Sequence, residues 1–424
     1  MAKRQLTDWV DSYAKYYEQL ESPVLYRPWV GLSTIASVVG RGIWLPWHSE
    51  VYKGFHTYPN LYLMLIAPSG VRKSTSLGPG KNLLETIGAK LAPSTATWQG
   101  LIQEWSNEII SDKGSPMTVH CDELSTFLRQ ESKLSKMHDQ LTHIYDNPSV
   151  FEYLLISRDM QRIEQPCLNM IGGTTPDGLK RIIPYEQAGE GFLGRFIPLY
   201  GHRVEKKVVR AKVENMSDPT LLSKLEHDLR QINEMIGEFR WDSAFEDAYG
   251  HWYLTENGEL DPNDPFNSPL MSSYRQRRPT YIHKLSMLFA LSEANTLCLE
   301  ERHFERAKVM LEQTEIGFAE IFRTYGSDYE TAMNDMTLFI AERGEVRLSE
   351  LYARVMTIQS SSEVKDRIDT LMKAGVIKMK NFIDDPYDRL VVWTGSKGAQ
   401  DADGTINKSR GEDGTQPGKK TGNG

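Results

Sequence analysis

Three cysteines among 424 residues are too few and too scattered for a disulfide framework. Cys121, Cys167 and Cys298 stand singly in apolar surroundings, without metal-ligand spacing. Long apolar runs are also missing: the longest, Leu61 to Ala67, falls far short of the ~18 residues that span a bilayer. The stretch Met1-Ala2-Lys3-Arg4-Gln5 leads straight into an amphipathic pattern, with no apolar signal core. A basic surplus is lacking as well. Acidic residues number 57 against 49 basic, a net charge of -8, so any nucleic-acid contact has to come from a local patch. These absences exclude secreted, membrane-spanning, collagenous and zinc-cluster classes. The expectation is a cytoplasmic protein without membrane contact, of two or three domains at ~150 residues each.

The apolar content of 40% and charged content of 25% are those of a globular chain. Residues 6–20 and 27–39 carry apolar groups at helical spacing, which predicts a helical N-terminal region over 1–57. Four apolar runs follow, beginning at Leu61, Thr118, Cys167 and Phe196 and separated by helical patterns. They predict an α/β core with a largely parallel sheet over 58–205. Helices near 219–237, 271–296 and 301–324 make 206–328 a helical, lid-like region, interrupted by the breakers Asp261-Pro262-Asn263-Asp264-Pro265. Over 329–395, helix-like segments precede a hairpin, Val376 to Met379 and Leu390 to Trp393, around an Asp-Asp-Pro turn. That order predicts a winged helix. Residues 396–424 contain seven glycines, no aromatic and one Ile, the composition of a disordered tail. His120, His143 and His283 fall on apolar patterns and are read as core residues.

The sharpest local signal is Pro68-Ser69-Gly70-Val71-Arg72-Lys73-Ser74-Thr75, placed between a strand and a helix. A phosphate-binding loop needs inward backbone N–H groups, a Lys for the β/γ oxygens and a hydroxyl for Mg²⁺. Lys73 and Ser74 match the last two requirements. The two usual glycines are replaced by Ala67 and Arg72, and Pro79-Gly80 is expected to end the following helix after one turn. Some 45 residues on, Met117 to Cys121 is a strand ending in Asp122-Glu123. Asp122 suits the hold on Mg²⁺, and Glu123 suits the base that orients or deprotonates an attacking water. ATP and Mg²⁺ are therefore the expected ligands.

Taken together, Pro59-Asn60-Leu61-Tyr62, the loop through Ser74, Asp122-Glu123-Leu124, Gly172-Gly173-Thr174-Thr175-Pro176 and Gly191-Phe192-Leu193-Gly194-Arg195-Phe196 resemble, in that order, the P-loop replicative helicases of phages and mobile elements. Proteins of that family are often fused to primases. The resemblance covers roughly residues 20–325 and extends to the ATPase core of minichromosome-maintenance helicases. It implies an AAA+/RecA-like P-loop core with helical flanking regions and a C-terminal winged helix. It further implies Thr175 as a γ-phosphate sensor, Arg195 as an exposed finger supplied to a neighbouring subunit, and Arg278 as a second sensor. A hairpin over 150–163 would point into a ring channel, with Arg158 and Arg162 on the DNA backbone. A second basic strip runs from Arg203 to Arg210.

The function expected is an ATP-dependent, ring-forming (hexameric) DNA helicase that translocates on single-stranded DNA. It would act in phage or mobile-element replication in a bacterial cytoplasm, with a primase or initiator as partner. Two alternatives stay open: a DNA-packaging or defence ATPase, and a nucleotide-binding initiator or loader without turnover. Residues 333–395 hold nine basic and ten acidic groups, so that region is as suited to protein contact as to DNA.

Overall fold

Five consecutive apolar residues, Tyr62–Ile66, form a strand buried along its whole length. A strand with no solvent face needs a cover on both sides, and the surrounding elements supply it. The computed structural model describes residues 3–46, 56–93, 97–128, 134–154, 159–183, 191–209, 218–255, 269–318, 321, 336–337, 339–341, 343–355, 361–381 and 388–394. The chain divides into two compact units, Met1–Tyr325 and Gly326–Gly424.

In the first unit, α1 (Trp9–Tyr16) and α2 (Tyr26–Val39) precede β1 (Ile43–Pro46), β2 (His56–Thr57) and the buried β3 (Tyr62–Ile66). Then come α3 (Lys73–Thr86), α4 (Trp98–Ser106), β4 (Ser115–Cys121), α5 (Leu124–Leu128) and α6 (Leu134–Tyr145). The hairpin β5 (Val150–Leu154) and β6 (Met160–Glu164) leads to β7 (Pro166–Thr174), α7 (Pro176–Ile182) and β8 (Phe196–Tyr200). The remainder is α8 (Leu221–Asn233), β9 (Gly237–Glu238), β10 (Arg240–Trp241), α9 (Ser243–Thr255), α10 (Pro269–Glu293), β11 (Cys298–Leu299) and α11 (Glu301–Glu315).

The central sheet has the order β4-β7-β3-β8, and every pair in it is parallel. Leu91 adds a single parallel bridge to Thr118 on the outer side of β4. On β7, Asn169 donates to the Ala36 carbonyl of α2 at 3.2 Å and accepts from Leu61 N–H at 2.9 Å. Tyr62, level with the next residue of β7, reaches the Leu141 carbonyl of α6 at 3.2 Å. Successive strand residues face opposite ways, so α2 covers one face and α6 the other. The N-terminal helices thus belong to the same core as the sheet. The first residues also clasp the late helices. Arg4 bonds the Leu291 carbonyl at 3.1 Å, Trp9 Nε1 the Leu225 carbonyl at 2.9 Å, and Arg306 pairs with Asp11 at 2.7 Å.

Two expectations about helix length and core residues fail in this unit. The helix after the loop is not stopped by Pro79-Gly80 but runs on to Thr86. Pro79 costs one N–H, yet a Cβ on Gly80 would lie 2.7 Å from Val30 Cγ1 and 3.0 Å from Thr34 Oγ1. The bare glycine lets α3 press against α2, and that packing holds the helix together. His120 and His283 are buried as expected, but His143 is exposed on the last turn of α6, edge-on to Phe151.

In the second unit, β12 (Glu345–Arg347), α12 (Leu348–Val355), α13 (Ser361–Lys373), β13 (Ile377–Asn381) and β14 (Arg389–Trp393) surround a small core of their own. The strands form an antiparallel sheet in the order β12-β14-β13. The expected hairpin is β13 and β14; its Asp-Asp-Pro turn, the 261–265 breakers and the 396–424 tail lie outside the described residues. Among the described residues no helix is long and apolar enough to cross a membrane.

Candidate active site

Register decides which side chains meet at the carboxyl ends of the central strands. Cys121 is level with Gly172, and just beyond this paired stretch the Thr174 hydroxyl reaches the Glu123 carboxylate at 3.1 Å. Ile66 is level with Thr174, and Ala67 N–H bonds the Thr174 carbonyl at 3.2 Å. The loop after β3, the acids after β4 and the end of β7 therefore share one rim. Glycine makes the convergence possible. A Cβ on Gly172 or Gly173 would stand 2.7 Å from the carbonyl of Cys121 or Asp122 respectively, and at Gly173 also 3.3 Å from Lys73 Cβ.

The loop itself turns on two left-handed residues, Gly70 (φ 88°) and Arg72 (φ 56°). Arg72 is a non-glycine in a region that L side chains enter at a cost. Its guanidinium lies 3.5 Å from Glu21 at the surface. Pro68, Ser69 and Ser74 are exposed, while Val71 and Thr75 are half-buried. No side chain caps the start of α3 and no acid occupies its first turn, so its N–H groups and dipole favour an anion. Lys73 Nζ donates to the Ala67 carbonyl at 2.8 Å and the Pro68 carbonyl at 3.3 Å. Burial pulls the Lys73 pKa down, and the nearby charge of Glu123 opposes that.

Asp122 is exposed, and its carboxylate has no partner among the described residues. Glu123 is half-buried and accepts from the Thr174 hydroxyl at 3.1 Å. Thr175, the residue expected to sense phosphate, faces away from that role: its hydroxyl accepts from Gly178 N–H at 3.0 Å and caps α7. The hydroxyl beside the acid belongs to Thr174. A Thr-Thr pair at a strand end has one residue facing the rim and one starting the next helix. Only the register tells which is which.

Both expected arginines also differ from their predicted state. Arg195 is 8% exposed, not a projecting finger, and pairs with Asp146 at 2.6 Å and with the Gly191 carbonyl at 2.9 Å. It precedes β8, whose first residue is level with Tyr62 at the amino end of β3. Four residue steps, about 13 Å of strand, separate that end from the loop. Arg278 is bound bidentately by Glu315, at 2.8 and 3.0 Å. Its neighbour Arg277 shares Asp146 at 3.2 Å. Asp146 follows α6 and gave no signal in the sequence.

On the hairpin, Arg162 lies between Glu152 at 2.9 Å and Glu164 at 3.4 Å. That exposed face holds two carboxylates for one guanidinium and is not the free cation expected. Arg158 and Arg210 lie outside the described residues, while Arg203, Lys206 and Lys207 are exposed. Among the described residues no cluster of three or more His, Cys, Asp or Glu could cage a metal. Mg²⁺ needs no such cage, since one or two protein oxygens and the substrate phosphates suffice. Ser74 and Asp122, both exposed at the rim, fit that demand.

Neither a family model nor a curated protein sequence matches this chain.

Proposed function

We propose that the chain is a nucleoside triphosphatase, with ATP as substrate, that works as a ring-forming motor on single-stranded DNA in the manner of the P-loop replicative helicases it resembles. The observation that carries the reading is the meeting of Lys73, Glu123 and Thr174 at one rim of a parallel sheet. In open α/β sheets, ligands bind beyond the carboxyl ends of the strands. Here a lysine, a helix N-terminus and a carboxylate come together at that position. The order β4-β7-β3-β8, with β7 inserted between the loop strand and the acidic strand, supports an AAA+/RecA-like core. The helices and three-stranded sheet of the second unit support a winged helix.

In this reading Lys73 leaves the Ala67 and Pro68 carbonyls to meet the β/γ phosphates, and the first turn of α3 donates its N–H groups. Mg²⁺, when bound through Ser74 and Asp122, neutralises phosphate charge. Glu123 accepts the proton of the attacking water, and Thr174 holds Glu123. Arg195 lies at the far end of the sheet from its own loop, so it serves a neighbouring subunit once Asp146 releases it. A steady-state ATPase assay with single-stranded DNA, run beside equilibrium binding of a non-hydrolysable analogue, tests the reading. Lys73→Ala should lose binding, because the phosphate charge loses its cation. Glu123→Gln should bind normally and lose at least ~10²-fold in kcat. A parent chain that binds nucleotide without hydrolysing it would replace this reading with that of an initiator or loader.

A further inference from the structure

We propose that Ser125 is a positioning residue for Glu123: its hydroxyl and backbone N–H hold one carboxylate oxygen and so set the other toward the water. The inference rests on the hydrolase reading above. Glu123 Oε1 takes three donors, the Ser125 hydroxyl at 2.6 Å, Ser125 N–H at 3.3 Å and the Thr174 hydroxyl at 3.1 Å. Oε2 takes none among the described residues. The donors come from two elements, α5 and the end of β7, so they fix the carboxylate plane as well as its position.

The first turn of α7 closes a further side. A Cβ on Gly178 would stand 2.3 Å from Thr174 Oγ1 and 3.5 Å from Glu123 Oε1, so the pair sits against glycine with no room to swing that way. Thr174 is wholly buried, and its hydroxyl has Glu123 at 3.1 Å, nearer than its other acceptor, the Thr175 carbonyl at 3.4 Å; the charged acceptor makes the stronger bond. The free oxygen is therefore the one available to accept a proton. A carboxylate that loses its grip on Oε1 can rotate, and a small misplacement of a catalytic group lowers rate without touching binding.

The test uses the full chain with single-stranded DNA. Ser125→Ala should lower kcat roughly 10- to 100-fold while the dissociation constant of a non-hydrolysable ATP analogue stays within about twofold. Ser125→Thr, which keeps the hydroxyl, should restore most of the rate. In a Glu123→Gln background, Ser125→Ala should change nothing further. Should Ser125→Ala fail to fold by circular dichroism, the near-isosteric Ser125→Cys carries the same expectation. Parental kcat in the hydroxyl-less variant, or loss of analogue binding in step with rate, overturns the role of Ser125. If instead the parent does not hydrolyse ATP, or Lys73→Ala hydrolyses it unchanged, the hydrolase reading falls and this inference with it.

Discussion

In the proposed reading, Arg72 occupies the position where a phosphate loop most needs backbone freedom, at φ 56° and ψ 37°. A Cβ in that region costs about 1–2 kcal/mol, and an exposed ion pair such as the one to Glu21 offsets little of it. Arg72→Gly should therefore be more stable than Arg72→Ala by about 1 kcal/mol, read as the difference in denaturation midpoints. Buried bases shape the response to pH, and two of them are Lys284 and His138. Burial lowers the Lys284 pKa from 10.5 to about 7, and that of His138, stacked on Phe192, from 6.5 to about 4. In each window the unfolded chain binds more protons than the folded one, so stability rises with pH there. The contribution of His138 is lost as pH falls from about 6.5 to 4; that of Lys284 grows from about pH 7 toward 10.5. Melting curves across pH should lose slope in the first window for His138→Gln and in the second for Lys284→Met. That Lys73, Ser74, Asp122 and Glu123 belong to one place in the fold was legible from spacing alone: all four lie at the rim. Side-chain partners were not. Thr174 and Thr175 are indistinguishable in a pattern, and Asp146 lies 49 positions from the arginine it holds.

At the scale of elements, the four apolar runs of the central sheet could be read because buried parallel strands are continuous in apolar residues. The helix α9 leaves little trace in the sequence, since its fully buried residues are Phe245 and Trp252 alone. The three-residue β12 is too short to show a period of two. Pro79 reads as a breaker in the bare sequence, yet α3 continues through it because α2 packs against the following turn. The close packing of α3 on α2 makes its own prediction. Gly80→Ala, which should help an isolated helix, ought to destabilise the chain by about 1–3 kcal/mol, as overpacking does, in a denaturant titration. The hairpin makes another. With Arg162 held by Glu152 and Glu164, Arg162→Ala should leave the salt dependence of single-stranded DNA binding unchanged, by anisotropy at several ionic strengths. A drop of one phosphate contact in the slope would instead return Arg162 to the DNA interface.

For the whole molecule, the separation between Arg195 and its own loop turns an assignment into an assembly experiment. Arg195→Ala should bind nucleotide yet hydrolyse it ~10³-fold more slowly or worse. Mixing it with Lys73→Ala subunits should recover activity, because mixed interfaces can pair an intact loop with an intact arginine. A chain that stays monomeric with ATP and DNA while turning over at full rate excludes this arrangement. Asp146 adds a further check: with its two arginines released, Asp146→Asn should shift the protein concentration at which ATPase activity appears.

The clasp between residues 4–11 and the late helices has a kinetic side. Trp9 and Arg4 find their partners at Leu225 and Leu291, and Asp11 finds its own at Arg306. At ~5–20 residues per second, a ribosome needs roughly 15–60 s to make the intervening chain. For that interval the first helix has α2 to pack on, with Trp9 and Tyr13 against Gly31, but lacks the part of its cover that the late helices supply. A chain stalled or truncated before α8 should leave that part of α1 open to solvent and to self-association.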